Sequence, residues 1–343
     1  MLTKNKIPLI SVCVINYNTE KYLEKCLLSI IYQDFKSFEI VIVNDGSEGK
    51  DKTGRSCTKI VNSIKKECKS LRKKKNLPPV DIIYIEHRKN LGCMEARRSA
   101  LINTCGKWIT YIDSDDEFAP DALQVMYDNS DGADIVHGKS LCLMEDEEGK
   151  LVQVQKKQEK NILFYNGILT GHNIFHKTFT EADISCVLWS KLIKKELYEK
   201  VFKKIPFMYC NNNEDYLIYF LLALEADVYR GIDTVVYHYR MDTGNTSGKL
   251  IDTISKWHTQ VSRASALTVF MEYCSAYPEQ FTKKEKIHNQ MDYNWHLNEC
   301  VEIFLFCVVP EIKDECYAMM CEYWGEKNVK LAMKNFRRRH GMR

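Results

Sequence analysis

From Leu9 to Ile15 the chain is apolar almost without a break, the pattern of a strand buried on both faces of a parallel sheet. Asn18 and Thr19 can cap a following helix, whose apolar positions Tyr22, Leu23, Cys26, Leu27, Ile30 and Ile31 recur at helical spacing. Glu39 to Val43 reads as a second strand, ending at Asn44-Asp45-Gly46-Ser47. A basic amphipathic helix comes next, with Ile60, Ile64, Cys68 and Leu71 as its buried stripe and its lysines as a solvated face. Asn76 to Pro79 breaks it; Asp81 to Ile85 is a third strand and Cys93 to Cys105 a third helix. Trp108 to Ile112 and Ala133 to Val136 supply two more strands. Strands that alternate with helices pair in parallel through right-handed crossovers, so the expected fold is α/β, a doubly wound, Rossmann-like, mostly parallel sheet.

The pattern then changes. Residues 141–160 are charged and Gln-rich without clear period, which predicts a loop or an exposed hairpin. Ile184 to Val201 reads as helix. So does Leu217 to Glu225, after the polar run Asn211-Asn212-Asn213-Glu214-Asp215. Val228 to Tyr239 contains a short strand, and Thr243 to Gly248 a mobile-looking loop. From Thr253 onward the period is helical throughout, with Trp257, Trp295 and Trp324 among its aromatics. No internal repeat is visible.

Composition narrows the classes. At 343 residues the chain has room for two domains or one large one, and its net charge of +3 does not argue for nucleic acid. The basic residues gather in two places: Lys65, Lys66, Lys69, Arg72 and Lys73 to Lys75, then Lys334, Arg337 to Arg339 and Arg343. Fourteen cysteines without a CxxC pair and without a signal peptide predict reduced, mostly packed thiols in a cytoplasmic protein. No apolar run is long enough to span a bilayer, so any membrane contact is expected to be peripheral, at the inner face of the cell membrane.

Candidate chemistry lies at the strand ends. In sheets of this kind ligands sit at the carboxyl ends of the strands, and Tyr17, Asp45, Arg88, Asn90 and Asp113 all fall just past them. Asp113, Asp115 and Asp116 follow a buried-looking strand and repel one another unless a cation is near. A hard divalent ion that also bridges a nucleotide's phosphates would serve; a polar turn with Asp at capping positions before Pro120 is the plainer reading. Asp45 has the chemistry to accept a hydrogen bond from the imide of a uracil, or simply to make a tight turn with Gly46. The helix after Asn90-Leu91-Gly92 carries Arg97 and Arg98, one of which could meet phosphate or stack beside a base. The first strand lacks the G-x-G-x-x-G of a Rossmann dehydrogenase, and no P-loop is present.

Taken in order, several segments resemble family 2 glycosyltransferases of the GT-A fold. They are Val12 to Asn18, Val41 to Ser47, Asn90-Leu91-Gly92 with Ala96-Arg97, and Ile112 to Asp116 through Pro120. Trp189-Ser190-Lys191-Leu192 resembles the acceptor-side helix of that family, and Glu214-Asp215 its catalytic acidic pair. Tyr237-His238-Tyr239-Arg240 and the Ser247 loop are similar to its closing segment. The likeness covers roughly residues 8 to 250 and stops there. It implies two stretches, 1–140 binding a nucleotide sugar and 141–250 carrying the acceptor and base; the helical period marks 251–343 as a third.

The resemblance also implies roles. Asp45 would hold the base, and Asp113, with Ser114, would sit near the ribose or the metal; Tyr17, Asn90 and Arg97 complete the donor side. Asp115 would coordinate Mn²⁺ or Mg²⁺, with His238 as a further ligand and Asp116 orienting a turn or an acceptor hydroxyl. Asp215, beside Glu214, would be the general base of an inverting transfer from a UDP-sugar to a glycan or lipid-linked acceptor of the cell envelope. A nucleotidyltransferase and a non-catalytic carbohydrate-binding relative are the competing readings. The basic C-terminus is expected to touch anionic lipid, to pack on the catalytic domain or to form a homodimer.

Overall fold

The computed structural model describes residues 7–146, 151–154, 162–241, 243, 250–339 and 341. The chain divides into two compact units, Met1–Pro206 with Ile218–Gly244, and Phe207–Leu217 with Asn245–Arg343. The first two stretches expected from the sequence thus fall mostly in one unit, while Phe207–Leu217 and the last few positions of the second stretch, from Asn245, go with the C-terminal helices.

In the first unit, β1 (Ile10–Asn16) is buried at every position, as is β2 (Phe38–Asn44). Each fully buried Val, Ile or Leu contributes about 1.5–3 kcal/mol over the exposed state, enough to force these runs to the middle of a layered fold. β1 pairs in parallel with β2 and with β4 (Trp108–Asp113), and β2 pairs in parallel with β3 (Asp81–Glu86). The helices α1 (Glu20–Ile31), α2 (Cys57–Lys74) and α3 (Cys93–Ile102) make the crossovers. Their boundaries lie close to those read from periodicity. The capping of α1 differs: Thr19 makes no side-chain cap bond, and its hydroxyl meets Asn16 and Ser114 instead. Nor is α2 basic only on a solvated face. Arg72 is buried, and its guanidinium donates to the carbonyls of Ile31, Gln33, Phe35 and Pro78. A buried cation is tolerable when its donors find acceptors.

Among the described residues the strands form one mixed sheet in the order β3-β2-β1-β4-β9-β6-β10-β5, with β7 on β6 and β8 on β10. Here β5 is Glu117–Phe118, β6 Ile135–Glu145, β7 Leu151–Gln153, β8 Gly167–Thr170, β9 Lys191–Lys194 and β10 Val228–Arg240. Short helices α4 (Ala122–Asp128) and α5 (Asn173–Phe179) join this unit. The strand expected at Ala133 to Val136 runs on to Glu145 and forms an antiparallel hairpin with β7. Glu147–Lys150 and Gln155–Asn161, the rest of the charged stretch, lie outside the described residues.

Two expectations need correction. Ile184 to Val201 is not one helix: Ser190 adopts a left-handed backbone (φ 58°), and β9 follows it. β9 pairs antiparallel with β4 on one side and β6 on the other, and only then does α6 (Lys195–Phe202) begin. Two strands offering unpaired edges to this apolar run outweigh its helical spacing. The short strand expected within Val228 to Tyr239 is the 13-residue β10, parallel to β6 and antiparallel to β5 and β8.

α7 (Glu214–Glu225) begins in the second unit and ends in the first. The second unit is otherwise helical: α8 (Ile254–Val261), α9 (Arg263–Ala276), α10 (Lys283–Cys307), α11 (Lys313–Trp324) and α12 (Glu326–Arg339). α10 opens with a complete capping box between Thr282 and Glu285. Among the described residues no helix is long and apolar enough to cross a membrane.

Candidate donor site and acidic pair

The sheet brings the expected donor-side residues to one edge. Asp45 directly follows β2 and is buried. Its Oδ1 accepts from His87 Nδ1 (2.6 Å) and Leu91 N (2.9 Å), and its Oδ2 from Asn90 Nδ2 and Gly92 N (both 3.0 Å). Four donors occupy the four lone-pair directions of a carboxylate. In this geometry Asp45 and Asn90 organise the loop that leads into α3, at the sheet edge where the base contact is expected. Gly46 permits the close packing, because with φ 67° a Cβ there would meet the backbone of Lys89 and Asn90 at 2.3–2.5 Å. Tyr17 lies half-buried after β1, its hydroxyl pKa raised by burial and by the charges of Asp45 and Glu48.

At the end of β4 the carboxylates separate into distinct environments. Asp113 is partly exposed and pairs with the buried Arg97, 3.5 Å away, whose guanidinium lies 4.9 Å from the centre of the Tyr111 ring. Of the two arginines, Arg97 faces this edge; Arg98 instead holds the carbonyls of Phe202, Ile205 and Pro206. Ser114 is buried, 2.5 Å from Thr19 Oγ1, so its side chain links β4 to the start of α1. Asp115 accepts from Thr243 Oγ1 at 2.8 Å, and burial raises its pKa. Asp116 is buried and accepts from Tyr237 OH (2.7 Å) and Arg240 N (2.6 Å). Burial first, then the charges of Asp115 and Asp113, push the Asp116 pKa well up. Asp116 thus fastens the turn to β10.

Sequence reasoning passed over two members of this cluster. Tyr237 donates to Asp116 and accepts from the Asp113 backbone N–H (3.1 Å), while its ring stacks on Trp189 (4.6 Å, 11°). Trp189 also stacks on Tyr239 (5.1 Å, 14°). Trp189 makes an isolated parallel bridge to Tyr111 rather than part of a helix, and the segment before it is held by the buried Lys191, whose Nζ donates to the carbonyls of Ser185 and Val187. The second omission is Arg240. It is buried, donates to the Asp115 carbonyl, and pairs with Glu117 and Glu145 (both 2.9 Å). Part of the neutralisation that the acidic run demands is therefore internal. The signal was present in Tyr237-His238-Tyr239-Arg240, but only β10 shows where those side chains go.

His238 stands on β10 beside this cluster. Tyr237 and Tyr239 share the face that stacks on Trp189, so strand alternation turns His238 to the other face, opposite Glu117 in register. Burial lowers its pKa. Among the described residues no three His, Cys, Asp or Glu side chains converge as a ligand set. Asp113 and Asp115 both stand at the end of β4. Two hard carboxylates at one strand end fit a divalent ion that takes its other oxygens from phosphate and water.

The acidic pair occupies the first turn of α7. Glu214 is buried; Asp215 is more open and accepts from Tyr216 N at 2.8 Å. Carboxylates here are also favoured by the helix dipole. Asp242 and Gly244–Lys249, hence the closing loop with Ser247, lie outside the described residues, as do His340 and Arg343.

Comparison with known proteins decides the family. The sequence profile of glycosyl transferase family 2 matches residues 11–212, more than half of the chain. The chain belongs to glycosyl transferase family 2. Glycosyltransferase GlyA of Streptococcus pneumoniae serotype 4 is 32% identical over 207 residues, covering 59% of this chain and 26% of that protein. EpsH of Bacillus subtilis is 26% identical over 241 residues, 68% of this chain and 61% of that protein. The family 2 chain thus spans less than two thirds of either relative. The structure of S. aureus TarS 1–349 in complex with UDP-GlcNAc superposes with a TM-score of 0.53 at 16% identity, covering 97% of this chain and 92% of that one. Mannosyltransferase PcManGT from Pyrobaculum calidifontis, in complex with GDP-Man and Mn²⁺, gives 0.50 at 14% identity, over 97% and 85%. At such identities the likeness is one of fold, and that fold is GT-A.

Proposed function

We propose that this chain transfers a sugar from a nucleotide diphosphate sugar, a UDP-sugar first among them, to a hydroxyl of a glycan or lipid-linked acceptor, with inversion. The observation that carries this reading is the carboxyl edge of the sheet, where the Asp45–Asn90 loop, Arg97, Asp113 and Asp115 gather. The ordered loop and Tyr17 border the base; Asp113 and Ser114 lie toward the ribose, and Arg97 toward the phosphates. Asp115 and Asp113 would hold Mn²⁺ or Mg²⁺. What such an ion supplies when bound is electrostatic stabilisation of the departing diphosphate.

Asp215, with Glu214 beside it, is the base in this reading. Its carboxylate takes the acceptor hydroxyl's proton as that oxygen bonds to the anomeric carbon. The bond from that carbon to the phosphate oxygen breaks, and its electron pair leaves with the nucleotide diphosphate. Attack from the opposite side turns an α-linked donor into a β-glycoside. Calorimetric titration with UDP, with and without Mn²⁺, tests the donor half. Thermal shift over a panel of UDP-sugars then identifies the sugar, because a ligand that binds only the folded state raises its stability. No nucleotide binding under either condition would sink the proposal.

The helical unit offers a second contact. Lys330, Met333, Lys334, Arg337 and Arg338 of α12, with Tyr317 of α11, line a groove of about 680 Å³. Four cations on one helix face suit the headgroups of an anionic bilayer, at about 1 kcal/mol per basic residue near the surface. Co-sedimentation with phosphatidylglycerol vesicles should weaken with salt and with the triple change Lys334→Ala, Arg337→Ala, Arg338→Ala. Salt-insensitive or absent binding would favour packing or a dimer contact for this region.

A further inference from the structure

The sequence leaves the role of the last ninety or so residues open, and the structure ties that region to the acidic pair. Several side chains of the C-terminal helices and their caps hold the segment around the start of α7. Asn211 N donates to Ser262 Oγ (3.0 Å), and Asn212 Nδ2 to Gln260 Oε1 (3.1 Å). Gln260 is itself held by Arg263 (2.7 Å), which pairs with Glu299 of α10. Asn213 Nδ2 lies 3.1 Å from both ring nitrogens of the buried His296. Tyr216 OH donates to Asp292 Oδ2 (3.1 Å), and its ring meets His296 edge to face. Tyr209 stacks flat on His258 (4.1 Å, 6°).

Asn213 has a second distinguishing feature. Its backbone is left-handed (φ 64°), a conformation Asn tolerates better than most residues, and its carbonyl accepts from Leu217 N in the first helical turn. The conformation of Asn213 therefore sets the direction in which Glu214 and Asp215 leave the loop. His296, on α10, holds the side chain of that same residue.

We propose that the C-terminal helices are the mount of the acidic pair, with Asn213 and His296 as positioning residues that fix where Asp215 stands. This rests on reading Asp215 as the base. Misplacing a reacting group by about 1 Å can cost on the order of a hundredfold in rate, whereas donor affinity depends on residues of the other unit.

The test uses the full chain and three variants: Asn213→Gly, which keeps the left-handed backbone and removes the amide, His296→Ala, and His296→Gln, which retains a hydrogen-bonding group. Release of UDP from UDP-GlcNAc, UDP-glucose and UDP-galactose with Mn²⁺ is measured beside UDP affinity, thermal midpoint and amide exchange over residues 208–217. The first two variants should lose about tenfold or more in kcat, with donor KM and UDP affinity unchanged within about twofold, and His296→Gln should recover part of the loss. Exchange over 208–217 should rise in Asn213→Gly and His296→Ala, a readout that needs no turnover. Should His296→Ala fail to fold, Asn213→Gly and His296→Gln carry the test. A lowered thermal midpoint with kcat unchanged, or unaltered exchange, would overturn the inference. Asp215→Asn run in parallel separates the two ideas. Full turnover there refutes the base, while a dead Asp215→Asn beside active positioning variants refutes only the mount.

Discussion

The two groups of acids in this chain are held by different means. Asp113 ends a strand paired with its neighbours on both sides, so the sheet sets its place, and Arg97 and Tyr237 only trim it. Glu214 and Asp215 begin a helix, and the segment leading to them is anchored by side chains forty to eighty or so positions later in the chain. A ladder of backbone bonds is robust to single side-chain changes; a mount made of side-chain hydrogen bonds is not. Substitutions should therefore separate the two regions.

The largest effect is expected at Asp215. Asp215→Asn keeps the shape and cannot take a proton at neutral pH, so turnover should fall by about a hundred- to ten-thousand-fold. UDP affinity, measured by calorimetry, should not change. Near-normal turnover would mean that the pair serves only as favourable charge at a helix N-terminus.

On the sheet side, Asp115→Ala should abolish Mn²⁺-dependent UDP binding. The metal-free protein should unfold at the same temperature or higher, because the change removes a carboxylate whose burial opposes its charge. Unchanged UDP affinity in Mn²⁺ would remove Asp115 from the metal site.

Tyr237→Phe asks how far the sheet alone holds the cluster. The loss leaves buried Asp116 short of one donor and should cost about 1–3 kcal/mol of stability, read by chemical denaturation. UDP binding should weaken less than in Asp115→Ala. A stability change within about 0.5 kcal/mol would show that the ladder needs no help from this hydroxyl.

The smallest effect is a pH slope. His137 is buried 2.9 Å from Tyr229 OH, and burial, with the nearby charge of Lys191, depresses its pKa well below the usual value. A depressed folded pKa means stability that is present above about 6.5, the unfolded value, and lost as pH falls below it. The thermal midpoint should drop between pH 7.5 and 5.5, and His137→Gln should show a shallower drop. Equal slopes would mean that the ring does not carry that penalty.

Much of the N-terminal half of the sheet was legible in the residues. Leu9 to Ile15 could only be a doubly buried strand, and with that strand central its carboxyl edge had to carry Tyr17, Asp45 and Asp113. Reading failed wherever a side chain's partner is distant. Arg72 looked like one more solvated base, and neither the four donors around Asp45 nor the strand face that His238 takes could be seen from neighbours along the chain. Their actual partners, or for His238 its actual face, follow from strand order and alternation.

By itself the sequence determined the α/β order, the parallel pairing of the first four long strands and the placing of acids at strand ends, because apolar period and local capping are properties of neighbours along the chain. Tertiary structure alone decided that Lys191–Lys194 is a strand, that Arg240 neutralises part of the acidic turn, and that the C-terminal helices hold Asn211 to Asn213. Each of those outcomes depends on which backbone edges and which buried polar groups were left unpaired by the rest of the fold, and that is settled only when distant segments meet.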